Sequence, residues 1–569
     1  MWYIKTGAHD LLIFRILAGL VLQDFNDTTL MTVTTQLTAS HEDGTLKAIR
    51  AIDHQLSQLD HSARTLRSRR NALAPISTLP PEILSMVFMY MEAASNHSLA
   101  WIKVSHVCQH WRAVALDSPR LWTNIVLSRP KWTREMLKRS KMAPLDIKAD
   151  LSFLTPRLLE VVRLIMEQIH RTRSLNITAN HSTLNSIFAG LHDAPLLRSL
   201  NLRDSQRHGL LPTDSPSVPF AMKAPRLRHL ELLQCNVEWN SPFLRPLTHF
   251  KLCDATPPPM GDLLSALQAM PYLEVLELQN SLPRPDLGLG KREVRLGKLK
   301  KISIKDPLPS CASLLGFLAF KPCTSFHLDC TFSDEPPASF FSYLKVLHQL
   351  PLKSINTLEL AQDGPAYIEV YASEPASGGS PRATSFDFRL SWSQDVPVAP
   401  TEVFSSITKS LKLSLLQTLY HHRTQDSESS FWLDNFSKLP KLQNVTLSGS
   451  VVPSFLDALV HDQSHKASEP AGRRSLARIG FPSLRSLALH NANLADTVGD
   501  KRLLTTLRDV IGCRLQQGIP IIDLTFEWCA NVHEADVKSL GMLVKNVRWD
   551  GQESVLNSDG EGLLFMDLA

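Results

Sequence analysis

The eight residues Val104-Ser105-His106-Val107-Cys108-Gln109-His110-Trp111 hold two imidazoles, a thiol and an indole. Imidazole and thiolate are ordinary zinc ligands, and a histidine beside a cysteine is also the pairing that activates a nucleophilic thiol. Read as one helix advancing 100° per residue, His106 and Cys108 stand about 200° apart, so they share no metal and cannot act on each other. His106 and His110 lie on one face at i, i+4, but two ligands alone make a weak site. Val104, Val107, Cys108, Trp111, Val114 and Ala115 meanwhile follow the i, i+3, i+4, i+7 pattern of a packing stripe, with Cys108 as a small buried apolar group. The expectation is a packing helix, not a catalytic or metal centre.

The rest of the chain offers little other chemistry. Gly290-Lys291 has Pro285 where a P-loop needs its first glycine, and Arg292 where it needs Ser or Thr. His533-Glu534 has Val537 where a zinc protease motif needs its second histidine. His421-His422 reads as an exposed polar turn rather than a metal site. The eight cysteines form no CxxC pair, which removes the usual structural zinc spacing and points to reduced thiols in the cytoplasm or nucleus. No cofactor is expected, and the reading is of a non-catalytic protein.

With 43% hydrophobic and 20% charged residues the chain has the balance of a globular protein, and a net charge of +5 over 569 residues is mild. Neither nucleic acid nor membrane is an expected partner. The apolar run Leu11–Leu22 contains Arg15 and is shorter than the roughly 20 residues a spanning helix needs. It lacks a signal-peptide cleavage pattern. Residues 1–44 are expected to be poorly ordered, and Met31 is a candidate alternative start.

Over 45–74 the apolar positions Ile49, Ile52, Leu56, Leu59, Ala63, Leu66 and Leu73 alternate by three and four, interrupted by Arg70. This is a heptad seam, whose docking onto the same chain is placed slightly ahead of dimerisation. Arg64, Arg67, Arg69 and Arg70 suit the negative end of the helix dipole.

A compact helical block spans 75–125. In Leu79-Pro80-Pro81-Glu82-Ile83-Leu84-Ser85-Met86-Val87-Phe88, Pro81 fits a first helical position and Glu82 the first turn. Ile83, Leu84, Val87, Phe88 and Met91 are read as one helical face.

From residue 126 to 569 a nine-residue phrase recurs, with apolar residues at its fourth, seventh and ninth positions. It occurs as APLLRSLNL (194–202), APRLRHLEL (224–232), MPYLEVLEL (270–278), LPKLQNVTL (439–447) and FPSLRSLAL (481–489), and with glycine as LGKLKKISI (296–304). The last two apolar positions alternate as in a strand. Helix-like segments such as 261–270 and 452–460 lie between copies. Strand and helix, repeated, predict an α/β architecture: a small all-α block followed by an irregular leucine-rich-repeat solenoid. Asn201, Glu231, Glu277, Thr446 and Ala488 should face outward. The repeat signal fades over 361–400, where Tyr367–Tyr371 and Ser385–Trp392 still alternate like strands. Loops are expected near 372–384 and 461–474.

The Leu-Pro-Pro-Glu-Ile-Leu helix start, the Val107-Cys108-Gln109-His110-Trp111-Arg112 motif and the closing Asp117-Ser118-Pro119-Arg120-Leu121-Trp122 closely resemble the F-box. With the leading heptad helix, the Trp132–Ser140 segment and the degenerate repeats, the chain resembles the fungal F-box-like family. That resemblance implies a substrate receptor that binds the Skp adaptor and, through it, a cullin–RING ubiquitin ligase, with the repeats holding an unknown protein target. It places Leu79, Pro80, Ile83, Leu84, Val87, Phe88, Val104, Val107, Cys108, Trp111, Leu121 and Trp122 in the adaptor-binding module. The alternative is a scaffold that holds the adaptor without recruiting cullin.

Overall fold

The computed structural model describes residues 28–563 except 96–98, 128–129, 154, 190–192, 206–222, 286–287, 289, 291, 322–324, 334–338, 351–353, 374–383, 423–427, 468–479, 553–554 and 557–561. The chain divides into two compact units after Leu121.

The first unit opens on α1 (Thr28–Ala72), which starts well upstream of the expected residue 45. The first 27 residues of the segment expected to be poorly ordered lie outside the described residues. Arg69 and Arg70 occupy the last turn of α1, where the dipole favours cations. The seam expected to dock within the chain stays exposed: Ile49, Ile52, Leu56, Leu59 and Leu66 are each more than half accessible. A 3-10 turn at Pro75–Thr78 leads into α2 (Pro81–Ala94), with Pro81 and Glu82 in its first turn as expected.

The VSHVCQHW stretch is not one helix. A 3-10 segment runs from Leu99 to His106, and α3 spans only Gln109–Leu116. Three residues per turn put Trp101 and Val104 on one buried face, and the chain then straightens, leaving Val107 exposed. Cys108 is extended (φ −156°, ψ 172°), and its Sγ accepts the Trp111 N–H at 3.4 Å. It therefore caps α3 instead of filling the core, satisfying a donor that a helix start otherwise leaves unpaired.

The second unit is built on a seventeen-stranded sheet among the described residues. Its strands in chain order are β1 (Asn124–Val126), β2 (Leu145–Leu151), β3 (Thr172–Ala179), β4 (Ser199–Asp204), β5 (His229–Leu233), β6 (His249–Cys253), β7 (Val275–Gln279), β8 (Lys301–Pro307) and β9 (Ser325–Phe332). They continue as β10 (Thr357–Gln362), β11 (Tyr367–Ser373), β12 (Thr384–Trp392), β13 (Thr418–His422), β14 (Asn444–Ser448), β15 (Ser486–His490), β16 (Asp523–Glu527) and β17 (Asn546–Trp549). From β1 to β9 each strand pairs in parallel with the next. Parallel pairing resumes from β13 to β17.

All six copies of the phrase end in a strand of this sheet, and their apolar positions stack in register: Leu200, Leu230, Phe250, Leu276 and Ile302 form one inward row. These residues are buried, and helices follow several strands, such as Met260–Gln268 and Leu308–Phe317, the latter packing on β8 and β9. The row shows copies that the leucine pattern alone misses. Leu247, Phe250 and Leu252 form one, so the 46-residue interval between 224 and 270 holds two repeats: Leu227, Leu247 and Leu273 stand 20 and 26 residues apart.

Each repeat is keyed to the next at both ends of its strand. Before the strands, the Arg228 N–H bonds to the Arg198 carbonyl, Thr248 to Arg228, and Glu274 to Thr248. After them, Gln234, Asp254 and Asn280 turn left-handed (φ 57°, 52° and 45°), and each N–H bonds to a carbonyl near the end of the following strand, those of Cys253, Gln279 and Lys305, at 2.8 Å.

The weak region near 361–400 has a physical cause. The chain leaves β9, places β10 three positions away, and returns through β11 and β12 as an antiparallel meander. β11 alone runs against the other strands, so the parallel-repeat phrase has no place there. Of the expected loops, 374–383 lies outside the described residues, whereas residues 461–467 belong to the helix Val451–Ala467 and 468–479 are outside the description.

The expected polar turn at His421-His422 is the end of β13. His421 is fully buried in register between Leu360 and Leu447, against the rings of Phe404, Phe431 and Trp432 at 5.6, 5.8 and 5.2 Å. Neither ring nitrogen has a hydrogen-bond partner, and burial lowers its pKa from 6.5 to about 3. His421→Leu is expected to raise stability by roughly 1–2 kcal/mol, because an unsatisfied buried polar group carries a penalty of about that size. The neutral folded state binds fewer protons than the unfolded chain between pH 6.5 and about 3, so His421 removes stability as pH falls through that window. Melting curves at pH 7 and pH 5 should show the variant's advantage widening at pH 5.

Asp306 gives the opposite sign. It is buried beneath the turn after β7, accepting the N–H groups of Ser281 and Leu282 at 3.2 Å, and burial raises its pKa from 3.8 to about 6 despite those bonds. The folded state holds a proton that the unfolded chain has lost, so its contribution falls as pH rises from about 4 through about 6. Asp306→Asn keeps an acceptor oxygen without the buried charge, and its melting temperature relative to the parent should rise between pH 5 and pH 7.5.

Candidate functional site

α2 is apolar on two sides and covered on one. At 100° per residue, Leu84 and Phe88 share a face, and both are fully buried. Phe88 meets the Trp111 ring of α3 at 5.1 Å. Ile83, Met86, Val87, Tyr90 and Met91 occupy the adjoining arc of about 140°, and all five are exposed, Tyr90 at 83%. The single helical face read from sequence is thus two faces: Leu84 and Phe88 point inward while Ile83, Val87 and Met91 point out. A contiguous exposed apolar arc of this kind marks a protein-docking surface.

This division sorts the sequence candidates. Leu84, Phe88, Val104 and Leu121 are buried in the first unit and hold its core. Leu79, Cys108 and Trp111 are half-buried, and Pro80, Ile83, Val87 and Val107 are exposed. Trp122 falls in the second unit, fully buried, with its ring 6.0 Å from that of Trp132 and the Arg139 guanidinium 4.3 Å above it. The Trp132–Ser140 segment is therefore partly explained as the cover of Trp122, and Trp122 presents no surface to a partner. Met86 and Tyr90 belong to this surface without being among the sequence candidates. Their signal was available, since eight of the nine residues from Ile83 to Met91 are apolar or aromatic and cannot all face one core.

A groove of about 570 Å³ flanks α2 on its other side, between Ser85 and Met89 of α2 and His110 and Ala113 of α3. Among the described residues no group of three or more His, Cys, Asp or Glu side chains is placed to hold a metal ion.

The outward face of the sheet carries the second candidate surface. From β4 to β8 its side chains bind one another: Asn201 to Glu231 at 2.6 Å, Lys251 to Glu231 at 2.7 Å and to Glu277 at 3.9 Å, and Lys301 to Glu277 at 2.7 Å. Charges of alternating sign on neighbouring strands reinforce the ladder and leave little for a ligand. Around the meander the composition changes. His327, Asp387, Tyr371, Glu359, Tyr420 and Thr446 form one row across β9, β12, β11, β10, β13 and β14. Arg389 lies 5.7 Å from the Tyr371 ring, and burial pushes the Tyr371 phenol up to about 12.

Ser303 also stands in register beside His327, whose Nδ1 lies 2.7 Å from the Asp387 carboxylate. This order matches a Ser–His–Asp relay, but no Ser303–His327 hydrogen bond occurs among the described contacts. The backbone amides of these parallel strands are engaged in the sheet ladder, so they do not supply an oxyanion hole. The row is a polar surface.

No curated protein matches the chain. Residues 76–128 match the family model for the F-box-like domain, a span that begins just before α2 and ends just after β1. The two-sided α2, its packing on the cysteine-capped α3 and that match together establish that this chain carries an F-box-like domain.

Proposed function

We propose that the chain is a substrate receptor of an SCF-type cullin–RING ubiquitin ligase, acting in the cytoplasm, the nucleus or both. The exposed arc of α2 carries this reading: five apolar side chains at the surface of an F-box-like domain need a partner, and the Skp adaptor is the partner such domains take. Pro80 and Val107 add exposed apolar surface in the same unit. The second unit is read as a leucine-rich-repeat solenoid whose outward face binds the target protein. No bond chemistry is needed, because a receptor acts by raising the local concentration of its target beside the conjugating enzyme.

Within that face the meander is the favoured contact region. It presents Tyr371, Tyr420, His327 and Arg389 together, and tyrosine and arginine are the side chains that most often carry interface energy.

The adaptor claim is tested on surface residues, since Leu84→Asp would bury an unpaired carboxylate and unfold the unit. Val87→Asp with Tyr90→Asp should weaken binding of purified Skp adaptor by about tenfold or more while leaving the circular dichroism spectrum and melting curve unchanged. Full retention of binding by this folded variant contradicts the proposal. Tyr371→Ala with Tyr420→Ala should keep the adaptor but lose proteins that accumulate on the parent under proteasome inhibition. An unchanged set of captured proteins removes the meander as the target site.

A further inference from the structure

We propose that α1 pairs with α1 of a second copy of this chain as an antiparallel coiled coil. Three observations carry it. The seam Ile49, Ile52, Leu56, Leu59 and Leu66 is exposed, at 54–66%, along an unbroken helix. Its alternating three-and-four spacing is that of helix-on-helix packing, with Ile49, Leu56, Ala63 and Arg70 in a positions and Ile52, Leu59 and Leu66 in d positions, Leu73 following one residue past the helix end. A helix that buries none of its apolar stripe gains little from propensity alone, so pairing is what stabilises it.

Charge chooses the occupant and the direction. At the positions flanking the seam, Asp53 and Asp60 lie in its first half and Arg67 and Arg69 in its second; Arg70 is in the seam itself, and Arg50 and Arg64 lie on the outer side of the helix. Running two copies in opposite directions, with the seam from Ile49 to Leu73 fully overlapped, places Leu56 against Leu66 and Leu59 against Ala63, each twice. Asp53 then faces Arg67 of the second copy on both sides of the axis. Arg70, which breaks the apolar pattern, lies opposite Ile52 with Asp53 beside it. A parallel, in-register pair instead stacks Arg70 on its own copy. Its flanking contacts, Ala48 with Asp53, Gln55 with Asp60 and Ser62 with Arg67, contain no opposite charges. The antiparallel arrangement has one adverse contact, Asp60 with its own copy near the axis.

Sedimentation equilibrium of the full-length chain over a concentration series tests this. The parent is expected to dimerise, and Leu56→Asp with Leu59→Asp to be monomeric with an unchanged melting curve for the remainder of the chain. Asp53→Arg alone and Arg67→Asp alone should each weaken the dimer about fivefold to tenfold, and the double exchange should restore it. Asp60→Asn should tighten it. A parent that remains monomeric throughout overturns the proposal. A dimer that ignores the two charge reversals, or that the Leu56 and Leu59 changes leave intact, overturns it equally.

Discussion

A β-strand edge is a row of unpaired donors and acceptors, and in the second unit, from β1 to β9 and again from β13 to β17, each strand's edge is closed by the next strand arriving in parallel register. The requirement is strict, because a slip of one residue would turn every inward leucine to solvent. It is enforced at both ends of the strand. The backbone bonds linking Arg198, Arg228, Thr248 and Glu274 set where each strand begins, and the left-handed residues Gln234, Asp254 and Asn280 set where it ends. Between these anchors the side chains are free to vary outward, which is the condition for a surface that recognises something.

The meander shows what happens when that rule is relaxed. β11 runs backwards, yet its amides still find partners on β10 and β12, so the sheet survives the insertion. The outward face gains tyrosines and an arginine at that point instead of the alternating charges of β4–β8. The helical unit solves a different problem. Its α2 spends Leu84 and Phe88 on its own core and leaves five apolar side chains uncovered, an arrangement that favours a stable partner.

Much of this was legible in the residues. The recurrent phrase located six strands, and the Pro-Glu start and the Trp-Arg motif located the F-box-like domain. What escaped had physical causes. Copies with Phe250, His421 or Phe526 in place of leucine keep the inward position and lose the letter, so only the stacked register exposes them. The break at Val107-Cys108 escaped because a 3-10 turn followed by a capped helix preserves nearly the same apolar spacing as one continuous helix. Periodicity alone could not separate the two faces of α2, since both are apolar. Trp122 shows the limit of motif reasoning. It closes the motif by sequence, yet its ring is packed beneath Trp132 and Arg139 in the other unit.

The central claim, that this chain links a target to a ligase through its F-box-like domain, is tested most directly by mixing the purified chain with a preformed complex of Skp adaptor and cullin and following co-elution on size exclusion. The account predicts a single peak containing all three proteins, lost when Val87 and Tyr90 are both replaced by aspartate. A chain that elutes separately, or that strips the adaptor away from cullin, contradicts it.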